Sequence, residues 1–324
     1  MTKKEVKIGV IALGLHAQRG HLDHLSKIPQ AKIIAVCDPS EKAREKFKST
    51  DNISVFKNED ELLHNPFLDA VIICSPDRFH TSSLRKAVLA GKHVLVEKPV
   101  GENMEDLQII EESLALAKQK GLIITSCHIR RFDPPFVWMH DHRKDFEKRF
   151  GPVLEIRFDF FYHKPSKTGL HKGLLIDHIN HEIDLVHYLV GYSPFRANKL
   201  IDSPTRYSAN GVREDGITFS FMGSRTLESY VYGEVLAIRF ERGEVSINTE
   251  TANATVTNFE TGSVERLNSG RTNYDQRCLG VNQNFVNAIL SKGKNYLTDR
   301  DLIINTKMGI ELTLKNSFSD NYQK

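Results

Sequence analysis

The hydrophobic positions of the first 125 residues fall in short runs that are mostly β-branched. Most runs do not alternate with polar residues, which is typical of parallel strands covered on both faces. Helical patterns separate the runs, and this alternation predicts a doubly wound parallel sheet. The predicted strands are 6–12, 33–37, 53–56, 70–74, 94–96 and 122–125. The predicted helices lie near 17–27, 39–48, 59–64, 81–90 and 103–120.

The pattern changes after residue 126. Residues 154–160 alternate apolar with charged side chains, which predicts a half-buried antiparallel strand. Similar stretches recur at 216–221, 226–233, 235–240, 244–248 and 254–259. Helices are predicted from Pro134 to about residue 150 and over 177–190, and 261–277 is predicted as a flexible loop. We therefore expect two domains, 1–125 and 126–324, the second with one broad sheet whose face is a plausible dimer surface.

Composition adds little to this picture. The 324 residues suffice for two domains, and 40% hydrophobic with 26% charged residues is ordinary for a globular protein. The net charge of +3 gives no reason to expect a nucleic-acid or membrane partner, and no run of 18 apolar residues exists. No signal-peptide cleavage site follows the first apolar run. The four cysteines lack metal spacing, so we expect reduced thiols in a cytoplasmic protein.

The first strand-to-helix turn carries a dinucleotide-binding motif. Aligned to G-x-G-x-x-G/A, it supplies Ala12, Gly14 and Ala17, with Leu15 and His16 inside the turn. Gly14 would let the backbone approach a pyrophosphate at the helix N-terminus. Ala12 departs from the motif, because the first glycine normally makes the tight turn. We predict that these five residues bind the cofactor; an ordinary tight turn is the alternative.

Asp38 ends the second predicted strand, 24 positions after Gly14. A carboxylate there can accept hydrogen bonds from a ribose 2′-hydroxyl and repel a 2′-phosphate, which favours NAD over NADP. The alternative is that Asp38 caps the following helix. Lys42 and Arg44 lie nearby and could soften the discrimination, so NADP remains possible.

Two further strand ends bring polar residues to the expected ligand-binding edge of the sheet. The fourth strand is followed by Ser75 and Pro76, which we predict as cofactor contacts. His80 either touches the cofactor or caps the next helix. The fifth strand ends in Glu97 and Lys98, which we also place at the cofactor.

These features together resemble the glucose–fructose oxidoreductase, inositol dehydrogenase and rhizopine-catabolism family. The resemblance spans nearly the whole chain, and Glu-Lys-Pro followed by Asp-x-x-x-His is its most specific pair. The motifs that carry it are the turn at 12–17, Asp38, Ser75-Pro-Asp-Arg-Phe-His80, Gly91-Lys-His-Val-Leu-Val-Glu97-Lys98-Pro99, Arg130-Arg-Phe-Asp-Pro134 and Asp177-His-Ile-Asn-His181. Asp77 departs from the family, which often has Asn there.

The resemblance implies a Rossmann domain followed by an α/β domain with an open, mainly antiparallel sheet. It also implies NAD or NADP, a homodimer or homotetramer, and oxidation or reduction of a sugar, cyclitol or related polyol. It suggests Lys98, Asp177 and His181 as the catalytic set.

Spacing supports a chemical role for the catalytic set. Asp177 and His181 are one helical turn apart, so the carboxylate could orient the imidazole that takes a proton from a substrate hydroxyl. Hydride would then pass from the same carbon to the nicotinamide, while Lys98 stabilises charge on the oxygen. The alternative is an ordinary surface pair. Histidines are dense around His178, but no ligand set completes a tetrahedron, so no metal is predicted.

The substrate itself is less defined. Candidate contacts besides Lys98 and His181 are Arg130, His163, Asn180 and Tyr274. The basic loop 162–173 hints at an acidic or nucleotide-linked sugar, or is only a solvated loop. The rival function is a sensor or regulator that binds the dinucleotide without turnover. Action on an imine or on a double bond beside a carbonyl is a third possibility.

Overall fold

The computed structural model describes residues 4–162, 174–203, 205–225, 233–293 and 295–314. The chain divides into two compact units. The first comprises Met1–Ile129 and Asp275–Lys307, and the second comprises Arg130–Tyr274 and Met308–Lys324. The sequence-based boundary at residue 125 lies near the first division. The return of Asp275–Lys307 to the first unit was not part of that prediction.

The first unit contains a six-stranded sheet in the order β3-β2-β1-β4-β5-β6, and every neighbouring pair is parallel. The order reverses between β1 and β4, which is the switch point of a doubly wound sheet. The predicted Rossmann arrangement is therefore confirmed. The strands are β1 (Val6–Ile11), β2 (Ala31–Cys37), β3 (Ser54–Phe56), β4 (Ala70–Ile73), β5 (His93–Val96) and β6 (Ile124–Ser126).

Helices separate these strands, and α5 shows why the sequence predicts them well. Asn103 caps its N-terminus by accepting from the Asp106 N–H, and Gly121 ends it at φ +66°. The first helix has a π-helical segment, Ala17–Leu22, that runs into α1 (Asp23–Leu25). The others are α2 (Glu41–Glu45), α3 (Glu59–Leu63), α4 (His80–Leu89), α5 (Met104–Lys120), and later in the chain α8 (Tyr274–Ile289) and α9 (Asp299–Leu314).

The core of the first unit includes a residue from the far end of the chain. Leu302 of α9 is fully buried in the same cluster as Ile110 and Ala117 of α5. Strands β4 and β5 are buried on both faces, which explains their continuous apolar sequence.

The second unit contains an eight-stranded sheet in the order β14-β13-β12-β11-β7-β10-β9-β8. Strands β7 and β10 pair in parallel and the other neighbours are antiparallel, so the predicted open, mainly antiparallel sheet is confirmed. The strands are β7 (Val153–Tyr162), β8 (Phe195–Asp202), β9 (Arg206–Arg213), β10 (Thr218–Arg225), β11 (Gly233–Phe240), β12 (Gly243–Asn248), β13 (Asn253–Asn258) and β14 (Val264–Asn268).

Two differences from the sequence-based prediction concern this sheet. The loop predicted over 261–277 is wrong, because it contains β14 and the start of α8. Strand β14 is the sheet edge and is largely exposed, so it lacks an apolar alternation. Strands β8 and β9 were also missed. Most of the strand predicted over 226–233 lies outside the described residues.

Helices α6 (Pro134–Phe150) and α7 (Leu174–Val190) share a hydrophobic core with the sheet. Phe158 and Phe221 point into this core from β7 and β10, and Ile179 and Ile183 enter it from α7. No helix in the described part of the chain is long and apolar enough to span a membrane.

Candidate functional site

The turn after β1 has the backbone that the dinucleotide motif requires, although its first glycine is replaced. Ala12 adopts φ +68°, the left-handed conformation for which glycine is normally used. Its N–H donates to the Cys37 carbonyl at 2.9 Å. The methyl group of Ala12 therefore does not prevent the tight turn, but the conformation costs about 1–2 kcal/mol for a residue with a Cβ atom.

Gly14 leaves one side of the turn open. A Cβ atom built on Gly14 would meet no described atom within 4 Å, so packing inside the protein does not require a glycine there. Room for a close-lying ligand gives a reason for it. Leu15 is 62% exposed beside this opening, whereas Ala17 is fully buried, as the third motif position requires for close helix packing.

Asp38 is fixed at the end of β2 by two backbone donors. Its Oδ2 accepts the Leu13 N–H at 2.7 Å and its Oδ1 accepts the Ser40 N–H at 2.8 Å. The alternative in which Asp38 caps the following helix is wrong, because the Ser40 side chain caps α2. Arg44 lies close by, but it donates to the carbonyls of Asp38 and Pro39. The orientation of the carboxylate is thus fixed at the end of β2, and its contact with a ribose stays a prediction.

His80 connects two of the strand-end loops. Its Nδ1 lies 2.7 Å from the Pro99 carbonyl oxygen, and its Nε2 lies 2.7 Å from that of Ser75. The ring is 1% exposed. Both nitrogens therefore face backbone carbonyls, and the side chain holds the loop after β4 against the loop after β5. Pro76 precedes the turn Asp77–Phe79 between Ser75 and His80.

Glu97, at the end of β5, is buried against His21. The His21 Nε2 lies 2.8 Å from Glu97 Oε1, and the Nδ1 lies 2.9 Å from Asn282 Oδ1 on α8. The Asn282 amide group donates to two backbone carbonyls, those of Gly20 and Cys278. Its oxygen must therefore face His21 and accept a hydrogen bond from Nδ1–H.

This geometry places a carboxylate oxygen against the second nitrogen of a ring that already donates through Nδ1. The pKa shifts of the two groups favour an imidazolium ion at His21. Burial opposes this charge, but contacts with Cys74, Cys127 and Glu97 raise the pKa of His21 well above its usual range. Burial likewise favours a neutral Glu97, yet the neighbouring His16 and His21 rings hold the pKa of Glu97 well below its usual range. The result is a buried ion pair.

His16 is the second histidine on this carboxylate. Its Nε2 lies 3.0 Å from the same Oε1 atom of Glu97, and its side chain is 54% exposed. The Glu97 charge and hydrogen bond raise the pKa of His16, against the opposing effects of burial and of the positive charges on His21 and Lys98. The cofactor turn and the end of β5 are thus joined through one carboxylate oxygen.

Cys127 completes a compact group with His21 and Glu97. One donor atom from each lies within 4.8 Å of the other two, a spacing that a metal ion could use. However, the His21 nitrogen in this group carries a proton and donates a hydrogen bond to Glu97. Burial raises the pKa of the thiols of Cys74 and Cys127, and raises that of Cys37 to about 12, so they are poor thiolates. The group is organised by an ion pair, and the absence of a metal stays a prediction.

Lys98 follows Glu97 directly and is half-buried just beyond the carboxyl end of β5, at the edge formed by the carboxyl ends of the parallel strands. This edge carries the Asp38 carboxylate and the opening at Gly14, because the carboxyl ends of parallel strands lie on the same side. The first unit therefore brings together the predicted cofactor residues and one predicted catalytic residue.

In the second unit, α7 carries the remaining catalytic candidates. His181 and Asn180 are buried, with 9% and 5% exposure. Position 177 lies in the same helix, one turn before His181, but the Asp177 side chain lies outside what the structure describes. Asn180 packs against Gly309 of α9. Its Oδ1 lies so close that a Cβ atom added to Gly309 would be 2.9 Å away. The pairing of Asp177 with His181 stays a prediction.

Arg130, predicted to contact substrate, lies at the centre of a buried network, and the predicted contact stays untested. Its guanidinium lies 3.2 Å from Glu182 Oε1 and 2.6 Å from Glu234 Oε1. The Tyr207 hydroxyl donates to the same Glu182 oxygen at 3.0 Å. Burial raises the pKa of Glu182 despite the opposing charge of Arg130, and burial together with Glu182 raises that of Tyr207 well above its usual range. Arg130 therefore fixes α7 to β11 and is only 4% exposed.

The other substrate candidates are less informative. Tyr274 is 42% exposed at the start of α8. His163 and the remainder of the basic loop up to residue 173 lie outside the described residues. Sequence reasoning missed His21, Glu182, Glu234 and Asn282, each of which is polar and buried. Their partners lie far away in sequence, so no local pattern indicates them.

Comparison with known proteins gives a family match within the first unit. Residues 6–128 match the model of an oxidoreductase family described as having an NAD-binding Rossmann fold. The chain is 28% identical to the uncharacterized oxidoreductase YrbE of Bacillus subtilis over 194 residues, which cover 58% of this chain but only 54% of YrbE. This match agrees with the resemblance read from the motifs and covers the Rossmann part of the chain.

Two relatives match over almost the whole chain. The scyllo-inositol 2-dehydrogenase (NAD(+)) of Bacillus subtilis is 25% identical over 337 residues, covering 97% of this chain and 94% of that protein. The crystal structure of scyllo-inositol dehydrogenase from Lactobacillus casei with NAD(H) and scyllo-inositol is 25% identical, with a TM-score of 0.77 and 98% of each chain covered. Both units thus have counterparts in inositol dehydrogenases.

Proposed function

We propose that the chain is an NAD-dependent dehydrogenase acting on a cyclitol or sugar, because residues 6–128 match the model of an oxidoreductase family with an NAD-binding Rossmann fold. The reaction would interconvert a secondary alcohol and a ketone. The observation that carries the proposal is the Asp38 carboxylate, held by two backbone N–H groups beside the open turn at Gly14.

The preference for NAD rests on charge. A fixed carboxylate accepts hydrogen bonds from the ribose hydroxyls of NAD and repels the 2′-phosphate of NADP. Arg44, a cation near this position, is folded back onto two backbone carbonyls. It is therefore not placed to neutralise Asp38.

The chemistry is assigned to three residues. His181 takes the hydroxyl proton of the substrate, Asp177 orients the ring, and Lys98 stabilises the charge that develops on the oxygen. Hydride passes from the same carbon to the nicotinamide when NAD is bound. This assignment is supported by the position of Lys98 at the cofactor edge of the sheet and by the neighbouring positions of Asp177 and His181 on α7.

The substrate class comes from the relatives that match over both units. Both are named scyllo-inositol dehydrogenases, so we infer a ring that bears several hydroxyl groups. The suggestion of an acidic sugar rests on the loop up to residue 173 and remains a prediction.

The test is a spectrophotometric assay of the purified protein with scyllo-inositol, myo-inositol and a panel of hexoses, each with NAD⁺ and with NADP⁺. We expect NADH production with at least one cyclitol or sugar. Lys98→Ala and His181→Ala should each lower kcat by roughly 10²–10⁴-fold while changing NADH affinity little. Lys118→Ala and His142→Ala change exposed residues of α5 and α6 and serve as matched controls.

The outcomes separate the rival functions. Near-wild-type turnover in Lys98→Ala or His181→Ala would contradict the catalytic assignment. Tight NADH binding with no turnover across the panel would favour a sensor or regulator.

We also infer that a second copy of the chain covers the open face of the eight-stranded sheet. Phe161 and Met222 project there and are about half exposed. They share the face with Arg157, which forms an ion pair with Glu244 at 3.0 Å. An apolar patch flanked by both charge signs suits a self-complementary contact. Light scattering should give a dimer or tetramer, and Met222→Lys should shift it toward monomer. A monomeric wild type would contradict this inference.

A further inference from the structure

His16 occupies a position at the cofactor turn that the motif itself does not explain. It stands two residues after Gly14, on the first helical turn, and its side chain is 54% exposed. Its Nε2 is held at 3.0 Å by Glu97 Oε1. Within the described part of the chain, its Nδ1 has no hydrogen-bond partner, so the ring has one fixed atom and one available atom.

Glu97, which holds the His16 ring, is itself held in place. Glu97 is buried, and its Oε1 also accepts from His21, whose other nitrogen is held by Asn282. His21 uses both nitrogens within the protein and cannot reach a ligand. His16 has the same acceptor but lies at the surface. Hydrogen bonds through the buried Glu97 therefore hold the exposed His16 ring in one orientation.

The charges favour an anion beside this ring. With His16 and His21 both protonated, two positive rings share the single negative charge of Glu97, which leaves one net positive charge. Lys98 adds a second positive charge next to Glu97. The diphosphate of a dinucleotide carries two negative charges, and the backbone at Gly14 is open to it.

We propose that His16 is a cationic contact for the diphosphate of the dinucleotide, and that loss of its charge at alkaline pH weakens cofactor binding. The inference rests on the proposed function, since it assumes that the turn binds NAD. It gives the His16 side chain a charged role at a position where the motif itself reads only the backbone.

The sign of the pH dependence follows from the groups that face His16. Glu97 raises the pKa of the ring, whereas burial, His21 and Lys98 act against it, and the net shift is upward from 6.5. The cationic form of His16 is therefore favoured relative to a free imidazole, and the ring loses its charge as the pH rises through the raised pKa. A neutral ring protonated on Nε2 keeps its bond to Glu97. Its Nδ1 then presents a lone pair to the phosphate, so attraction becomes repulsion.

The test is a titration with NADH, followed by nicotinamide fluorescence, between pH 6.5 and 9.5 at constant ionic strength. For the wild type we expect affinity to fall about tenfold across this range, as a charge-assisted hydrogen bond is lost. His16→Gln should bind weakly at every pH, and His16→Arg should bind tightly at every pH. His64→Gln, which changes an exposed histidine beyond α3, should follow the wild type.

A second measurement guards against a folding defect in the variants. At pH 6.5 the wild-type affinity should fall more steeply with NaCl than that of His16→Gln, because screening weakens only the charged contact. The proposal is overturned if wild-type affinity does not change with pH, or if His16→Gln retains the wild-type pH dependence. Absence of NADH binding at every pH is a different result, which contradicts the proposed function as well.

Discussion

Replacing Ala12 by glycine should stabilise the protein. Ala12 is held at φ +68°, with its N–H bonded to the Cys37 carbonyl, so the turn cannot relax without breaking that bond. A residue with a Cβ atom pays about 1–2 kcal/mol for this conformation, and glycine does not. Glycine in turn costs about 0.4–1 kcal/mol through the greater freedom of the unfolded chain. The expected net gain is about 1 kcal/mol.

The measurement is equilibrium unfolding in urea followed by far-ultraviolet circular dichroism, with the slope of the transition unchanged. The matched control is Ala17→Gly, the same chemical change five positions later. Ala17 is fully buried within the helix, so glycine there removes a packed methyl group and costs about 1–2 kcal/mol. Opposite signs for the two variants are expected. A loss of stability in Ala12→Gly would refute the argument that the backbone at this turn is strained.

Three further changes test other parts of the molecule. Asp38→Ser should raise the affinity for NADPH relative to NADH by roughly tenfold or more, measured by nicotinamide fluorescence, because the charge that repels a 2′-phosphate is removed; an unchanged ratio would contradict the role of Asp38. Glu97→Gln should cost about 3 kcal/mol in urea unfolding, since a buried imidazolium at His21 loses its counter-charge. Because the folded pKa of Glu97 lies well below 4.5, its contribution is present above that pH and is lost as the pH falls through the folded pKa, so the variant should lose less stability on acidification. Arg130→Met should lower the free energy of unfolding by about 3–5 kcal/mol, because two buried carboxylates lose their cation. Arg239→Met, on the partly exposed sheet face, should lower it by less than about 1 kcal/mol. Equal losses in the two variants would contradict the buried network around Arg130.

The elements of the first unit could be predicted because their determinants are local. Helix α5 carries its cap at Asn103 and its stop at Gly121 within the stretch itself. The apolar runs of β4 and β5 reflect burial on both faces. In the second unit, β14 has few buried positions and pairs with only one neighbour, so its sequence has no periodic signal.

The site could be predicted only where a motif fixes spacing. Gly14 and Asp38 follow from a short pattern along the chain. The ion pair of His21 with Glu97 depends on a partner 76 positions away, and its protonation depends on Asn282, 261 positions away. A single sequence gives no sign of such pairing. Arg130 likewise lies in a sequence motif, but the motif does not indicate its buried carboxylate partners Glu182 and Glu234.

The return of Asp275–Lys307 to the first unit has a consequence for the order in which the protein can form. A ribosome releases the six strands of the parallel sheet long before Asn282 and Leu302 exist. Until then His21 lacks the oxygen that orients it, and the cluster around Ile110 lacks one of its members. The nascent first unit therefore stays incomplete while the whole eight-stranded sheet is synthesised. Its folding can finish only after β14 and the residues that follow it have left the ribosome.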